Sequence, residues 1–381
     1  MTPAPDGLKI VTLAIELEPV GGIESVTLED SRELIARGHS VEMLYSVDGS
    51  QRPEYEAAGI TLSGPWLYGV QGPNAVAALR QIPALVRHLR RERPDVLWLS
   101  RSEFLPWAQL VSRLSGVPVL CHIHNVPNFR ITSLLARGIG AFVVVSDAMR
   151  RQWIAAGLKP ETVTVLHNGV APEDYPFAGV EERDAVRNDL GLPAGVPIVL
   201  YLGRITGQKG VPTLLESWRL VHEQHPDAHL LLVGAPEPSE VEECREALAA
   251  LPESSWSWRP LAKDVIPYLH AADVVVLPST YQDPLPRVVL ETLATGRPMV
   301  ASRVGGIPEM LSGDLARWLV EPGDAKELAE RLGGLLEWRE REPAIAEEAR
   351  AAVERDFPIT AHVDGLERAL RRVSKRRGDW V

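Results

Sequence analysis

The chain has 381 residues, with 40 basic and 51 acidic side chains and a formal net charge of −11. That length suits two domains better than one core, and 45% hydrophobic with 24% charged residues excludes a disordered or fibrous chain. The acidic balance argues against a nucleic-acid binder, which carries a basic face. Two distant cysteines, Cys121 and Cys244, argue against a disulfide framework or a zinc site. No apolar run reaches the ~20 residues of a membrane helix, and the opening MTPAPDG lacks the apolar core of a signal peptide. A cytoplasmic protein is expected, one that meets any membrane from the side.

Short apolar runs alternate with longer amphipathic ones, which predicts βαβ units and parallel sheets buried on both faces. LKIVTLAIEL (8–17) reads as the first strand. A helix follows Gly22 and stops at Gly38, and HSVEMLYS from His39 is the second strand. DVLWLS from Asp95, VPVLCHIH from Val117, AFVVVS from Ala141 and VTVLHNGV from Val163 continue the series. The stretch 79–93 reads as a helix carrying Arg80, Arg87, Arg90, Arg91 and Arg93. Two readings fit it: a solvated face, or a patch for an anionic acceptor or a membrane surface. Residues 171–185 are polar and turn-rich, and the domain boundary is placed here. Strands restart with PIVLYLGR at Pro197, HLLLVG at His229, DVVVLPS at Asp273 and PMVASR at Pro298. Helices over 325–341 (Asp324 as N-cap), 344–355 and 359–376 close the chain. The expected fold is α/β, two doubly wound Rossmann-like domains facing a cleft, with domains over 1–178 and 179–359.

Ligands in open α/β sheets bind beyond the carboxyl ends of strands, and four segments stand there. Pro19-Val20-Gly21-Gly22-Ile23-Glu24 follows the first strand; it reads as a tight turn or as a loop whose free N–H groups meet an anion. Leu202 to Gly210 (LGRITGQKG) offers Arg204 and Lys209 to a diphosphate; the alternative is a surface loop with two solvated cations. Ser279 to Glu291 (STYQDPLPRVVLE) places Asp283 before a helix that starts near Pro286, with Glu291 about one and a half turns inside it. The positive end of that helix suits a negative ligand and Glu291 suits ribose hydroxyls; the alternative is a cap at Asp283 and a solvated Glu291. In Cys121-His122-Ile123-His124-Asn125, the alternation is read as sending the two imidazoles to opposite faces, one toward the cleft. No partner stands at ligand spacing for a metal, and a hydrogen-bonded structural histidine remains the alternative.

Taken together these segments resemble the GT-B glycosyltransferases of family 4, the large retaining family. The likeness runs over nearly the whole chain: Gly21-Gly22-Ile23-Glu24, Arg37-Gly38-His39, His124, Ser146, His167-Asn168-Gly169-Val170, Gly203-Arg204 with Lys209-Gly210, Leu277-Pro278-Ser279, Asp283-x7-Glu291 and Gly305-Gly306-Ile307-Pro308-Glu309. The resemblance implies that 1–178 binds the acceptor, that 179–359 binds a nucleotide-diphosphate sugar, and that a final helix at about 360–381 packs back on the first domain. It implies that Gly22 lies near the diphosphate, that Arg204 and Lys209 hold it, and that the backbone at Arg287 and Val288 caps it. Arg259, Pro260 and Leu261 would border the base, Glu291 the ribose and Asp283 the sugar hydroxyls. His124 would donate or accept a hydrogen bond near the reacting centre, with Asn125 and Phe129 beside the acceptor. No cofactor and no metal are implied, the nucleotide sugar being a co-substrate; neither oligomeric state nor acceptor is specified.

Two positions depart from the family pattern. Asp283 stands for the first glutamate of Glu-x7-Glu, one methylene shorter, and Pro286-Arg287 replaces a frequent Gly-Leu pair; both bear on donor choice. Acceptor loops are expected at 49–74 and 126–132, where Trp66, Tyr68 and Phe129 line a pocket or simply pack. An epimerase or disaccharide synthase of the same fold and a nucleotide-sugar-binding subunit are the competing readings. A dinucleotide dehydrogenase requires GxGxxG after the first strand, which this sequence lacks.

Overall fold

In a computed structural model of the chain, the described residues are 4, 6–18, 21–68, 75–131 and 133–375. Among them, thirteen strands form two all-parallel sheets, one in each of two compact units: Met1–Asn168 with Thr360–Val381, and Gly169–Ile359. The first unit contains β1 (Lys9–Glu16), β2 (Ser40–Val47), β3 (Thr61–Ser63), β4 (Val96–Leu99), β5 (Val119–Ile123), β6 (Ile139–Val144) and β7 (Val163–Val165), in the order β3-β2-β1-β4-β5-β6-β7. The second contains β8 (Ile198–Leu202), β9 (His229–Val233), β10 (Trp256–Arg259), β11 (Val274–Leu277), β12 (Met299–Ser302) and β13 (Leu319–Val320), in the order β10-β9-β8-β11-β12-β13. Each sheet therefore reverses its direction of growth once, between β1 and β4 and between β8 and β11. Such a reversal opens a crevice at the carboxyl ends of the two strands.

The central strands are apolar along their whole length because helices cover both faces. Val96, Leu97, Trp98 and Leu99 of β4 are all fully buried, as are Leu230, Leu231, Leu232 and Val233 of β9. Asp273, just before β11, anchors the amino-terminal edge of the second sheet. Its carboxylate accepts from Arg187 at 2.6 Å, Arg183 at 3.1 Å, Arg339 at 3.2 Å and the Ile198 N–H at 2.8 Å. Burial works against that carboxylate's charge, but the arginines and the Ile198 N–H hold its pKa below the ordinary value.

The unit boundary differs from the expected 178: it falls after Asn168. The turn-rich segment belongs to the second unit because its backbone is tied there. The Val170 N–H donates to Phe357 O and the Ile359 N–H to Val170 O, both at 3.0 Å, while Arg350 donates to the carbonyls of Pro172 and Tyr175, each at 3.0 Å. From Thr360 the chain returns to the first unit through the helix Ile359–Ser374. Val363, Leu366, Leu370 and Val373 recur every three or four residues and are fully buried, each contributing about 1.5–3 kcal/mol of burial. Arg37 Nη1 meets Asp364 Oδ1 at 2.5 Å on the flank of this contact.

Asp324 caps its helix, accepting from the N–H groups of Lys326 at 3.0 Å and Glu327 at 2.9 Å. The single helix expected over 325–341 is two pieces, Ala325–Leu335 and Trp338–Arg341. The adjacent Gly333 and Gly334 weaken the helix there, and Trp338 Nε1 donates to Asp273 O at 2.8 Å, holding the second piece against the sheet. No helix among the described residues is long and apolar enough to cross a membrane. The expected fraying of the last residues concerns 376–381, which lie outside the described residues.

Candidate active site

At the switch point of the second sheet, the loop after β8 and the loop after β11 are knitted together. The Thr280 N–H donates to Gln208 O at 2.9 Å, and Thr280 Oγ1 donates to Gly207 O at 3.0 Å. A Cβ on Gly210 would lie 1.7 Å from Pro278 O, so only glycine lets the loops approach this closely. The packing brings Lys209 to Asp283: Nζ stands 2.6 Å from Oδ2, with the two side chains 15% and 4% exposed. Ser279 Oγ donates to the same oxygen at 3.2 Å, and Nζ sits 5.1 Å from the centre of the Tyr281 ring. Burial opposes the charge on Lys209, but Asp283 and Tyr281 outweigh it and raise the ammonium's pKa. Asp283 is fixed from behind as well, its carbonyl accepting the Gly306 N–H at 2.9 Å.

The helix Arg287–Ala294 starts directly after Pro286. Its first turn presents N–H groups that have no partner within the helix, at the positive end of the helix dipole. One turn later lies Glu291, 8% exposed. Arg287 Nε donates to Glu291 Oε1 at 2.8 Å, and Tyr175 OH bridges the two, 3.1 Å from Arg287 Nη2 and 3.3 Å from Glu291 Oε1. Val288, beside them, is half-buried.

The structure does not join every expected donor residue to this cluster. Arg204 is 58% exposed and pairs with Glu237 at 3.1 Å, at the surface. Arg259 ends β10; its carbonyl accepts the Gly234 N–H at 3.1 Å and its guanidinium reaches Leu190 O at 3.5 Å. Leu261, two residues on, is exposed.

In the first unit, the helix Gly22–Ala36 starts beyond β1, and nothing stands within 4 Å of where a Cβ on Gly22 would lie. Pro19 and Val20 of the same motif lie outside the described residues. Beside this helix start, Glu24 pairs with Arg101, which also reaches Glu103 at 3.2 Å.

The two histidines correct the sequence reading. Residues i and i+2 of a strand share a face, and the rings of His122 and His124 lie together with centroids 4.1 Å apart rather than on opposite faces. Burial, with Arg101 and His362 adding to it against Asp30, pushes the His124 pKa down to about 4. His124 Nε2 is out of reach of solvent and has no hydrogen-bond partner among the described residues. Asn125 Oδ1 accepts from Ser102 Oγ at 3.1 Å, and its carbonyl accepts from Trp153 Nε1 at 2.9 Å. Phe129 packs edge-on against Trp153 at 5.8 Å. Tyr68 stands edge-on to Trp107 at 5.2 Å and near Phe104 at 5.6 Å, which makes it a packing residue. Of the expected acceptor loops, residues 69–74 and Thr132 lie outside the described residues. The helix Ala75–Glu92 buries Ala78, Ile82, Leu85, Val86 and Leu89 and exposes Arg80, Arg87, Arg90 and Arg91.

Tyr175 is the site residue that sequence reasoning missed, and no local signal marks it: it precedes the second sheet and reaches Glu291 from 116 positions away. Ser279 and Tyr281 lay inside a noted segment without an assigned role. The assembled groups, one half-buried ammonium against a buried carboxylate, a helix start and a second buried carboxylate, suit a ligand with a diphosphate and several hydroxyls.

Comparison with known proteins gives the family and the fold. Residues 20–174 match the family model for Glycosyltransferase Family 4, and residues 196–337 match the model for Glycosyl transferases group 1. The chain is 35% identical over 227 residues to an alpha-maltose-1-phosphate synthase of Mycobacterium tuberculosis, a match covering 57% of each protein. The chain thus spans little more than half the length of that relative. It is 26% identical over 371 residues to the sulfoquinovosyl transferase SQD2 of Arabidopsis thaliana, covering 91% of this chain and 70% of that one. Among solved structures it superposes on HepE of Anabaena, in complex with UDP and glucose, with a TM-score of 0.83 at 23% identity over 96% of this chain and 99% of that one. A glycosyltransferase of Rickettsia africae gives a TM-score of 0.85 at 19% identity over 97% and 99%. The fold is that of the GT-B structures, and the chain belongs to the group 1, family 4 glycosyltransferases.

Proposed function

We propose that the protein transfers a sugar from a nucleotide-diphosphate donor to an acceptor hydroxyl, on a small molecule, lipid or glycan, with retention of anomeric configuration and without a metal ion, in the cytoplasm. The observation that carries this reading is the largely enclosed Lys209–Asp283 pair just before the start of the helix Arg287–Ala294. Cleaving a sugar–phosphate bond builds negative charge on the departing diphosphate. An ammonium and a helix start fixed in advance stabilise that charge as it forms. Arg204, at the surface, adds a second cation, and Gly22 leaves open space at another helix start. Asp283 and Glu291 receive sugar and ribose hydroxyls, Arg287 and Val288 lie against the phosphates, and Arg259 and Leu261 border the base. His124, with Asn125 and Phe129, serves the transferred sugar and the acceptor.

The reaction is a front-face substitution. The acceptor oxygen bonds to the anomeric carbon as the bond to the diphosphate oxygen breaks. The acceptor's proton passes to a phosphate oxygen of the leaving group, so no protein nucleophile is required. Holding both reactants in place supplies much of the rate.

The test is a thermal-shift panel of UDP, GDP, ADP, dTDP and their sugar conjugates, since a ligand specific to the folded state raises the melting temperature. HepE was solved with UDP-glucose, which places UDP first in the panel. A shift with one nucleotide is expected; none with any of them overturns the donor site. The product's anomeric configuration by NMR then tests retention. Activity that disappears in a chelator and returns with magnesium or manganese rules out metal independence.

A further inference from the structure

Below His124 the first unit holds a buried row of imidazoles that ends in a carboxylate. His122, fully buried, lies with its ring centroid 4.1 Å from that of His124 and 6.0 Å from that of His362 on the helix Ile359–Ser374. His362 Nδ1 donates to His167 O at 2.7 Å, and its Nε2 stands 2.9 Å from Oδ1 of Asp30, with both side chains 1% exposed. Both ring nitrogens of His122 lack a hydrogen-bond partner among the described residues. A carboxylate at the depth of Asp30 needs a partner, so the two ends of the row are chemically unlike: an imidazole–carboxylate pair at one, and at the other His122, with neither ring nitrogen hydrogen-bonded among the described residues.

We propose that Asp30 and His362 are positioning residues: a buried pair that seats His122 and His124, in which His362 offsets the Asp30 carboxylate so that the enclosed His124 ring stays uncharged. This rests on the role given above to His124. A sugar departing from a diphosphate gathers positive charge at its anomeric carbon, and a cationic imidazole beside it would oppose that charge. A neutral ring can exchange hydrogen bonds with sugar hydroxyls and raises no such barrier. The groups that face the row are Glu29 and Asp30 from the helix Gly22–Ala36, Arg101 after β4, His122 on β5 and His362 itself. Burial disfavours charge on all three imidazoles. Only at His362 do the adjacent Asp30, the His167 carbonyl and Glu29 outweigh it, so its pKa rises while those of His122 and His124 fall. His362, one half of the anchor, lies on the returning helix, so the last stretch of the chain bears on the state of a residue given a role in the proposed function.

The experiment is a ring-nitrogen NMR titration of the histidines in the full chain and in the His362→Gln variant. In the unaltered chain His362 is expected to take its second proton above the ordinary imidazole value, with His124 neutral until about pH 4. Replacing His362 removes a cation and leaves Asp30 uncompensated near His124. Both changes raise the His124 midpoint, by about one pH unit or more, a tenfold gain in proton affinity, and the acid limb of kcat moves with it. A His362 midpoint at or below the ordinary imidazole value, or a folded variant with an unmoved His124 midpoint, overturns the proposal. Should the variant fail to fold, the titration of the unaltered chain still decides. The titration is independent of sugar transfer: the expected midpoints in a protein that transfers no sugar would sink the function and leave the anchor standing.

Discussion

Lys209 Nζ lies 2.6 Å from Asp283 Oδ2, and the two residues come from loops that follow different strands of one sheet, β8 and β11. The pair balances charge while the site is at rest, and the ammonium is the group suited to a departing diphosphate. Lys209→Ala should lower kcat about 100- to 1000-fold, the size seen when one preorganised stabiliser of developing charge is removed. The donor KM should change far less. Steady-state kinetics at saturating acceptor read both, and an unaltered kcat removes Lys209 from the chemistry.

Lys209 and Asp283 were legible as neighbours of one site because each follows an apolar run that could only be a buried strand, PIVLYL and VVVLPS; Arg204, after the same first run, lies at the surface instead. Three strands were not read, β3, β10 and β13, of three, four and two residues. All three are sheet edges, where pairing on one side allows a short strand of mixed polarity such as Thr61-Leu62-Ser63. Tyr175 and the Asp30–His362 pair were equally invisible, since each contact joins residues far apart in sequence and no periodicity encodes it. The histidine faces were misread for another reason: a strand's side-chain period is two, so His122 and His124 had to share a side.

Tyr175 offers a test of the second carboxylate. Its hydroxyl holds Glu291 Oε1 at 3.3 Å and Arg287 Nη2 at 3.1 Å. Tyr175→Phe removes one neutral hydrogen-bonding group, worth about 1 kcal/mol, and leaves the ring in place. The donor KM should rise roughly fivefold with kcat little changed. A KM identical to that of the unaltered protein would detach Glu291 from the donor.

Gly305 tests the loop that seats Asp283. It has φ +55, and a Cβ there would lie 1.8 Å from Asp283 O. Gly305→Ala should cost about 1–3 kcal/mol through backbone strain and displacement, and should weaken the donor's thermal shift as Asp283 moves. Gly313→Ala is the control: φ is +59 but nothing lies within 4 Å of its Cβ position. It should lose stability through strain alone and keep the donor shift. Equal loss of donor response in both variants would mean that the contact with Asp283 is irrelevant.

The buried imidazoles give the first unit a pH optimum of stability with a defined position. An unfolded histidine takes its proton near pH 6.5. His124 in the folded chain takes it only at about pH 4, and His122 is likewise shifted down by burial and then by its two imidazole neighbours. Below pH 6.5 the unfolded chain therefore binds more protons than the folded one, and stability falls as the solution is acidified. For His124 alone the loss reaches on the order of 3 kcal/mol once the pH is below 4. His362 has the opposite sign: its folded pKa is raised, so its contribution is complete below pH 6.5 and is lost as the pH climbs through the folded value. Stability from this cluster should peak near pH 6.5 and decline on both sides. Urea unfolding at a series of pH values measures it, with His124→Asn as the comparison. That variant should flatten the acid limb and leave the alkaline limb in place, whereas an acid limb of unchanged slope would show that His124 is free to ionise in the folded protein.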